Sequence, residues 1–263
     1  MKKENLLCES ELMKSETQTI SLKENEQINI TVNSNDTNYI YVSEFSIGSI
    51  LNIQLKENSK LQLSFLAKHN FDKAEINVNL ENGAYFAAYF ADFSKDKEKL
   101  KVTINLNGEA SSSYWHLASL SANNDNKEFN VNVNHLAFQT SALSDNYGVC
   151  KDQSKLIFSG CSAILKGSHG SHTRQNSKIM VFDESCDAIA RPLLKIDEKD
   201  IEASHGAVVG RIPEDHLFYL TSRGLDESEA KRLITYGYLK PITRGFFDES
   251  IREEIVSLIE RRM

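Results

Sequence analysis

The sequence predicts an all-β chain coiled as a β-solenoid, with a small α-helical region at its carboxy end. Three observations predict it. Short apolar segments alternate with period two up to about residue 210, turn signals between them return at nearly constant spacing, and after Gly210 the pattern becomes that of helices. An antiparallel sandwich or jelly roll also gives short alternating strands, and periodicity alone leaves it open as the alternative.

Residues 1–22 open with the charged stretch MKKENLLCESELMKSE and read as an amino-terminal arm, poorly ordered or a short helix. Residues 23–212 carry the alternation: Ile28, Ile30 and Val32; Leu61, Leu63 and Phe65; Ile76, Val78 and Leu80; Val102, Ile104 and Leu106; then Val131 and Val133. Period two places one face of each strand in the core. Glu57-Asn58-Ser59, Glu81-Asn82-Gly83 and Asn107-Gly108-Glu109 separate the strands, with steps of 24 and 25 from Asn58 to Asn82 to Asn107. Two strands per step is one solenoid coil. A coil cannot bury its inner face alone, so stacked coils share a continuous apolar interior.

Residues 213–263 read as helices. Pro213-Glu214-Asp215 starts the first, with proline in the first turn and acids where the dipole favours them, and Gly224 stops it. Asp226 with Glu229 has the capping-box spacing, and Ala230, Leu233, Ile234, Gly237 and Tyr238 then form one face. Asp248 opens a third helix with Ile251, Ile255, Leu258 and Ile259 on one side. Such stripes can simply seal the end of a solenoid. Tyr236, Tyr238 and Phe246-Phe247 exceed that need, which favours a docking surface for a partner.

Composition narrows the function. The 263 residues are 40% hydrophobic and 25% charged, which excludes wholesale disorder. The net charge of −7 and the lack of any basic stretch argue against nucleic-acid binding. The longest apolar run, Ala84 to Ala91, is eight residues, against about 20 for a membrane-spanning helix. No secretory pattern opens the chain, so the cytoplasm is the expected compartment and the cysteines are expected reduced. There is no G-x-x-x-x-G-K-[ST] phosphate loop, G-x-G-x-x-G, C-x-x-C, H-E-x-x-H or G-x-S-x-G, so no nucleotide or hydrolytic chemistry is expected in this chain. A polysaccharide hydrolase would need clustered carboxylates and an export signal.

The densest candidate chemistry lies between His169 and His205. His169, His172, Cys186 and His205 are all possible metal ligands. The glycines and serines around His169 and His172 favour a solvated turn. Cys8 falls in the arm. Cys150 and Cys161 stand in strand-like text, where a free cysteine usually fills the core. Cys186 differs: Asp183-Glu184-Ser185-Cys186-Asp187 is an acidic turn, not a packing environment, and the carboxylates oppose thiolate formation unless a metal enforces it. The small neighbours of His205 in Ala203-Ser204-His205-Gly206-Ala207 leave room for close approach by a cluster or partner.

The stretch from His135 to Phe218, and the helical text after it, resembles the SufB/SufD family of scaffold subunits in the Suf iron–sulfur cluster assembly system. The resemblance is carried by HLAFQTSALSDNYGV, FSGCSAILKGSHGSHTRQNSKIMVF, ARPLLKID, IEASHGAVVGRI and LFYLTSRGLDESEAKRLITYGYL. It implies a right-handed parallel β-helix followed by a helical domain that docks the ABC-type ATPase SufC, with two β-helices pairing around a nascent cluster. ATP hydrolysis would then belong to the partner, and sulfur would come from a donor such as a cysteine desulfurase. The family's functional cysteine stands six residues before a proline in SufB, as Cys186 stands before Pro192, and the functional histidine of SufD lies in S-H-G-A, matched by His205. SufB usually has glutamate where this chain has Gly206. The signature is thus SufB-like at the cysteine and SufD-like at the histidine, and no counterpart of SufB's long amino-terminal region is present. One chain serving both parts as a homodimer is the expectation, with Cys186 and His205 of each chain holding a transient [2Fe–2S] or [4Fe–4S] cluster. A non-cluster-binding, SufD-like partner that positions the ATPase and another scaffold is the alternative.

Overall fold

The computed structural model describes residues 17–212 and 214–263. Cys8, Pro213 and most of the expected arm lie outside the described residues. Fifteen strands alternate between two parallel sheets. The eight-stranded sheet holds β1 (Gln18–Leu22), β3 (Thr37–Phe45), β5 (Lys60–Ala67), β7 (Tyr85–Asp92), β9 (Ser112–Ser121), β11 (Ser141–Cys150), β13 (Ser171–Val181) and β15 (Ile201–Arg211), in that order. The seven-stranded sheet stacks β2 (Gln27–Val32), β4 (Ile50–Leu55), β6 (Ala74–Leu80), β8 (Lys97–Leu106), β10 (Asn126–His135), β12 (Lys155–Ile164) and β14 (Asp187–Ile196). Every strand thus pairs with the strand two before it, which is a parallel β-helix and not the antiparallel alternative. Strand β1 lies within the expected arm, so the solenoid begins earlier than residue 23.

Period two explains the core. Leu61, Leu63 and Phe65 of β5, Ile76, Val78 and Leu80 of β6, and Val102, Ile104 and Leu106 of β8 are all buried in one apolar cluster. The intervening residues face outward, and asparagines there stack from coil to coil: Asn52 Nδ2 donates to Asn29 Oδ1 at 2.9 Å, and Asn77 Nδ2 donates to Asn52 Oδ1 at 3.1 Å. The turns repeat for a steric reason. Asn35, Asn58, Gly83, Ala110, Gln139 and Gly170 take positive φ at one corner of successive coils, where asparagine and glycine are best tolerated. Their N–H groups each bond to the carbonyl of the next coil, as in Asn35 N to Glu57 O (3.0 Å) and Gly170 N to Asp200 O (2.7 Å). The steps along this corner are 23, 25, 27, 29 and 31 residues. The spacing near 24 holds only for the early coils. Strands of the seven-stranded sheet lengthen from 6 residues in β2 to 10 in β14, and the coil grows with them.

The helical region comprises α1 (Glu214–Ser222), α2 (Glu227–Leu239), a 3₁₀ turn (Lys240–Gly245) and α3 (Glu249–Arg262). The capping box at α2 forms as read: Asp226 Oδ1 accepts the Glu229 N–H at 2.8 Å and Glu229 Oε2 accepts the Asp226 N–H at 3.1 Å. This region does not seal the solenoid's end. It lies on the outer face of the eight-stranded sheet, where Leu239, Ile242, Phe246, Ile255 and Ile259 pack with Leu66, Ala91, Ala118 and Leu120. Gly245 permits the contact. A Cβ there would sit 1.9 Å from the Tyr89 ring, and its carbonyl accepts from Gln62 Nε2 at 3.0 Å and from Ser64 Oγ. The aromatics read as surplus are largely used here: Tyr238 meets Tyr147, Phe246 meets Tyr41 and Phe247 meets Tyr39, all edge to face.

One corner of the interior is polar. Lys127 and Asp92 form a fully buried ion pair at 2.8 Å. Beside them Glu98 is buried; its Oε2 accepts the Phe71 N–H at 2.7 Å, and its Oε1 has no partner among the described residues. Burial is the chief cause that pushes the Glu98 carboxyl up from 4.5 to about 8. A carboxyl that holds its proton more tightly when folded favours the fold below its unfolded value and loses that advantage as pH rises through the folded one. Glu98→Gln keeps the acceptor for Phe71 and removes the titration. Its melting temperature should match wild type near about pH 5 and exceed it near about pH 9, a gain on the order of a few kcal/mol. Parallel melting curves across that range would show that Glu98 does not titrate in the fold.

Candidate functional site

In a stacked coil, each inward column continues from one strand to its partner two strands on. Four registered residues, Trp115, Ser144, Gln175 and His205, form one such column. Trp115, Ser144 and Gln175 are buried, whereas His205 is exposed because no further described coil follows β15. The column at the opposite corner runs Asp125, Ser154, Cys186, since Lys155 registers with Asp187 and the Asp187 N–H bonds to Ser154 O at 3.0 Å. Cys186 therefore belongs to the interior face of the last coil. It is partly buried, it packs against the core, and its thiol approaches Asp152 O at 3.6 Å. The acidic turn places this sulfur against the core after all, at the rim of the terminal coil.

Both residues thus lie on the terminal coil, but apart. Arg211, at the end of β15, pairs with Glu184 of the Cys186 turn at 2.6 Å. His205 stands six residues back along β15, roughly 20 Å at the rise of an extended strand. That register keeps Cys186 and His205 of one chain at different points of the last coil. Around them the last coil is apolar and uncovered: Val209, on the inward face of β15 with His205, is 44% exposed, and Leu193 and Val208, on the outer faces of β14 and β15, are 58% and 57% exposed. No group of three or more His, Cys, Asp or Glu placed to hold a metal ion occurs among the described residues.

The remaining candidates separate by environment. Cys150 fills the core as expected; burial pushes its thiol up to about 12, and its sulfur lies 3.3 Å from Ser154 Oγ. Cys161 differs from expectation. It faces outward on β12 and is only half-buried, because Gly160 and Ser162 take the inward positions. His172 is exposed and pairs with Glu202 at 3.2 Å, and His169 stacks on Phe138 with ring centroids 5.2 Å apart. Neither approaches Cys186 through any described contact. Sequence reasoning missed Gln175, registered beside His205 in the same column, whose buried Oε1 has no hydrogen-bond partner among the described residues. Parity could have found it, since Gln175 and Ile179 share a face.

The fold and site define a parallel β-helix protein whose candidate reactive groups sit on the face of its last coil and not in a side cleft. A family model described as "SUF system FeS cluster assembly, SufBD core domain" matches residues 6–238. The chain belongs to this SufB/SufD family, whose members are scaffold-type components of iron–sulfur cluster assembly. It is 32% identical over 161 residues to the iron–sulfur cluster assembly protein SufD of Bacillus subtilis, covering 61% of this chain and 37% of that protein. It is 21% identical over 232 residues to SufD of Escherichia coli, covering 88% and 54%. Against SufB of Bacillus subtilis the identity is 25% over 139 residues, covering 53% and 30%. The chain thus spans about a third to a half of the length of these relatives. No helix among the described residues is long and apolar enough to cross a membrane.

Proposed function

We propose that the protein is a scaffold on which a nascent iron–sulfur cluster is built between two chains paired through their terminal coils. The observation that carries this is the joint placement of Cys186 and His205 on the uncovered, apolar-rimmed face of one coil. A two-fold axis through that face, midway between the two residues, sets each chain's thiol against its partner's imidazole. Each of two equivalent sites then has one sulfur and one nitrogen ligand, and such incomplete ligation suits a cluster that is to be handed on. The cluster is cargo, with iron and sulfide as substrates, and a cysteine desulfurase is the fitting sulfur donor.

On this reading α1 is the surface that receives the ATPase partner. Its Phe218 and Tyr219 are 73% and 56% exposed, and the helix buries no residue of its own. A SufC-type ATPase docked there would reach the solenoid through α2 and α3, and its movement could open and close the paired face. The assembly would work in the cytoplasm.

Anaerobic reconstitution with ferrous iron and sulfide tests the reading. Wild type should acquire cluster absorbance and bound iron, and Cys186→Ser and His205→Ala should each lose most of both. Equal iron in Cys186→Ser and wild type would end the assignment of Cys186. The higher identity to a SufD, and Gly206 after His205, favour the second reading of a partner that positions the ATPase and another scaffold without holding a cluster. Wild-type protein that takes up no iron alone, but restores uptake when mixed with a separate scaffold, would select it.

A further inference from the structure

We infer that Gln175 is the positioning partner of His205, accepting one ring N–H so that the other nitrogen is presented at the coil face. The inference rests on the proposed ligand role of His205 and deepens it. An imidazole that binds a metal through one nitrogen is usually held by a hydrogen bond from the other, which fixes tautomer and ring orientation. Gln175 is the registered neighbour of His205 in the same inward column, so the two side chains stack at the spacing of adjacent strands. It is 1% exposed, and its Oε1 is buried without a partner among the described residues. A buried amide oxygen left unpaired is costly in a native interior and calls for an explanation.

The surroundings single out this pair. The inward neighbours of His205 on β15 are Ala203 and Ala207, and across the coil β14 turns Ala190, Pro192 and Leu194 inward; none has a side-chain acceptor. On the two preceding coils, Ser177 and Asn146 are already engaged, with Trp115 Nε1 donating to Asn146 Oδ1 at 3.2 Å and Asn146 Nδ2 donating to Ser177 Oγ at 3.3 Å. Thr173 Oγ1, on the same inward face of β13, is also buried without a partner among the described residues, but it registers with Ala203; the free oxygen in register with His205 is that of Gln175. An amide suits the task because it is uncharged: it orders the ring and leaves the imidazole neutral, as a metal ligand must be.

The test compares Gln175→Leu, which removes the acceptor, with Gln175→Glu, which keeps one. In full-chain protein labelled with ¹⁵N-histidine at about pH 8, where an ordinary imidazole is neutral, the His205 ring signals are assigned by their loss in His205→Gln. Wild type should hold one dominant tautomer. Gln175→Leu should shift the tautomer ratio several-fold, and Gln175→Glu should restore it. Gln175→Leu should melt at or above wild type, since an unpaired buried amide gives way to an apolar group, so a folding defect is separable. In reconstituted protein it should lose iron to a chelator about 10- to 100-fold faster. A tautomer ratio unmoved by Gln175→Leu overturns the pairing. A shifted tautomer with unchanged iron loss, matched by unchanged loss in His205→Gln, overturns instead the ligand role of His205.

Discussion

Replacing Lys127 with methionine should destabilise the protein by roughly 3–5 kcal/mol, read as a lower urea midpoint with an unchanged slope. The ammonium is fully buried and all three of its protons are used: it donates to Asp92 Oδ2 at 2.8 Å, Ser94 O at 2.9 Å and Leu120 O at 3.0 Å. Asp92 is equally buried and also accepts from Ser94 and, at 2.6 Å, from Ser119 Oγ. Without Lys127 that carboxylate stays in the interior with no cationic partner, held only by the Ser94 N–H and the hydroxyls of Ser94 and Ser119. The cost is therefore that of a stranded charge and not of lost methylene packing, which methionine largely keeps. Adding Asp92→Leu to Lys127→Met should recover part of the loss, because removing both charges also removes the desolvation they require. A single-variant loss below about 1 kcal/mol would mean that the pair is solvated in solution.

The second large effect is on association. Leu193→Glu with Val209→Glu should reduce the mass of the assembled protein from paired to single chains and remove cluster uptake with it. Both side chains are exposed in the single chain, at 58% and 44%, so its own fold should melt within a few degrees of wild type. Across a two-fold axis each new carboxylate meets an apolar face or its own copy, and such like-charge contacts cost several kcal/mol, a weakening of roughly a hundredfold or more. Light scattering of the anaerobically purified protein decides. A variant that remains paired and loads iron normally would move the interface elsewhere.

Much of this fold was legible because its physics is local. Alternation marked which residues of β5, β6 and β8 face inward, and asparagine and glycine marked corners that need positive φ. Lys127 and Glu98 were equally legible by the same parity, since they share their faces with Phe129 and Leu100, yet a charge in an apolar column has meaning only once its buried partner is placed. The lengthening of successive coils blurred the repeat beyond Asn107. The seat of the helices was not legible: an apolar stripe does not say what it covers, and Phe246 is buried against Tyr41 while Tyr238 packs half-buried on Tyr147. For Cys186 and His205 the sequence supplied the residues, but their separation along the last coil is a property of register, as is the Gln175 amide beneath the imidazole.

The unequal coils also bear on the pairing proposed above. A solenoid of uniform cross-section can stack head to tail without limit, since each exposed sheet edge is a template for the next copy. Here the described solenoid is a wedge: its first described strands have 5 and 6 residues, its last 10 and 11. A broad end set on a narrow one leaves backbone groups and apolar rim unmatched, whereas two broad ends meet with equal outlines. In the proposed pairing, that geometry would favour a closed pair over an open filament.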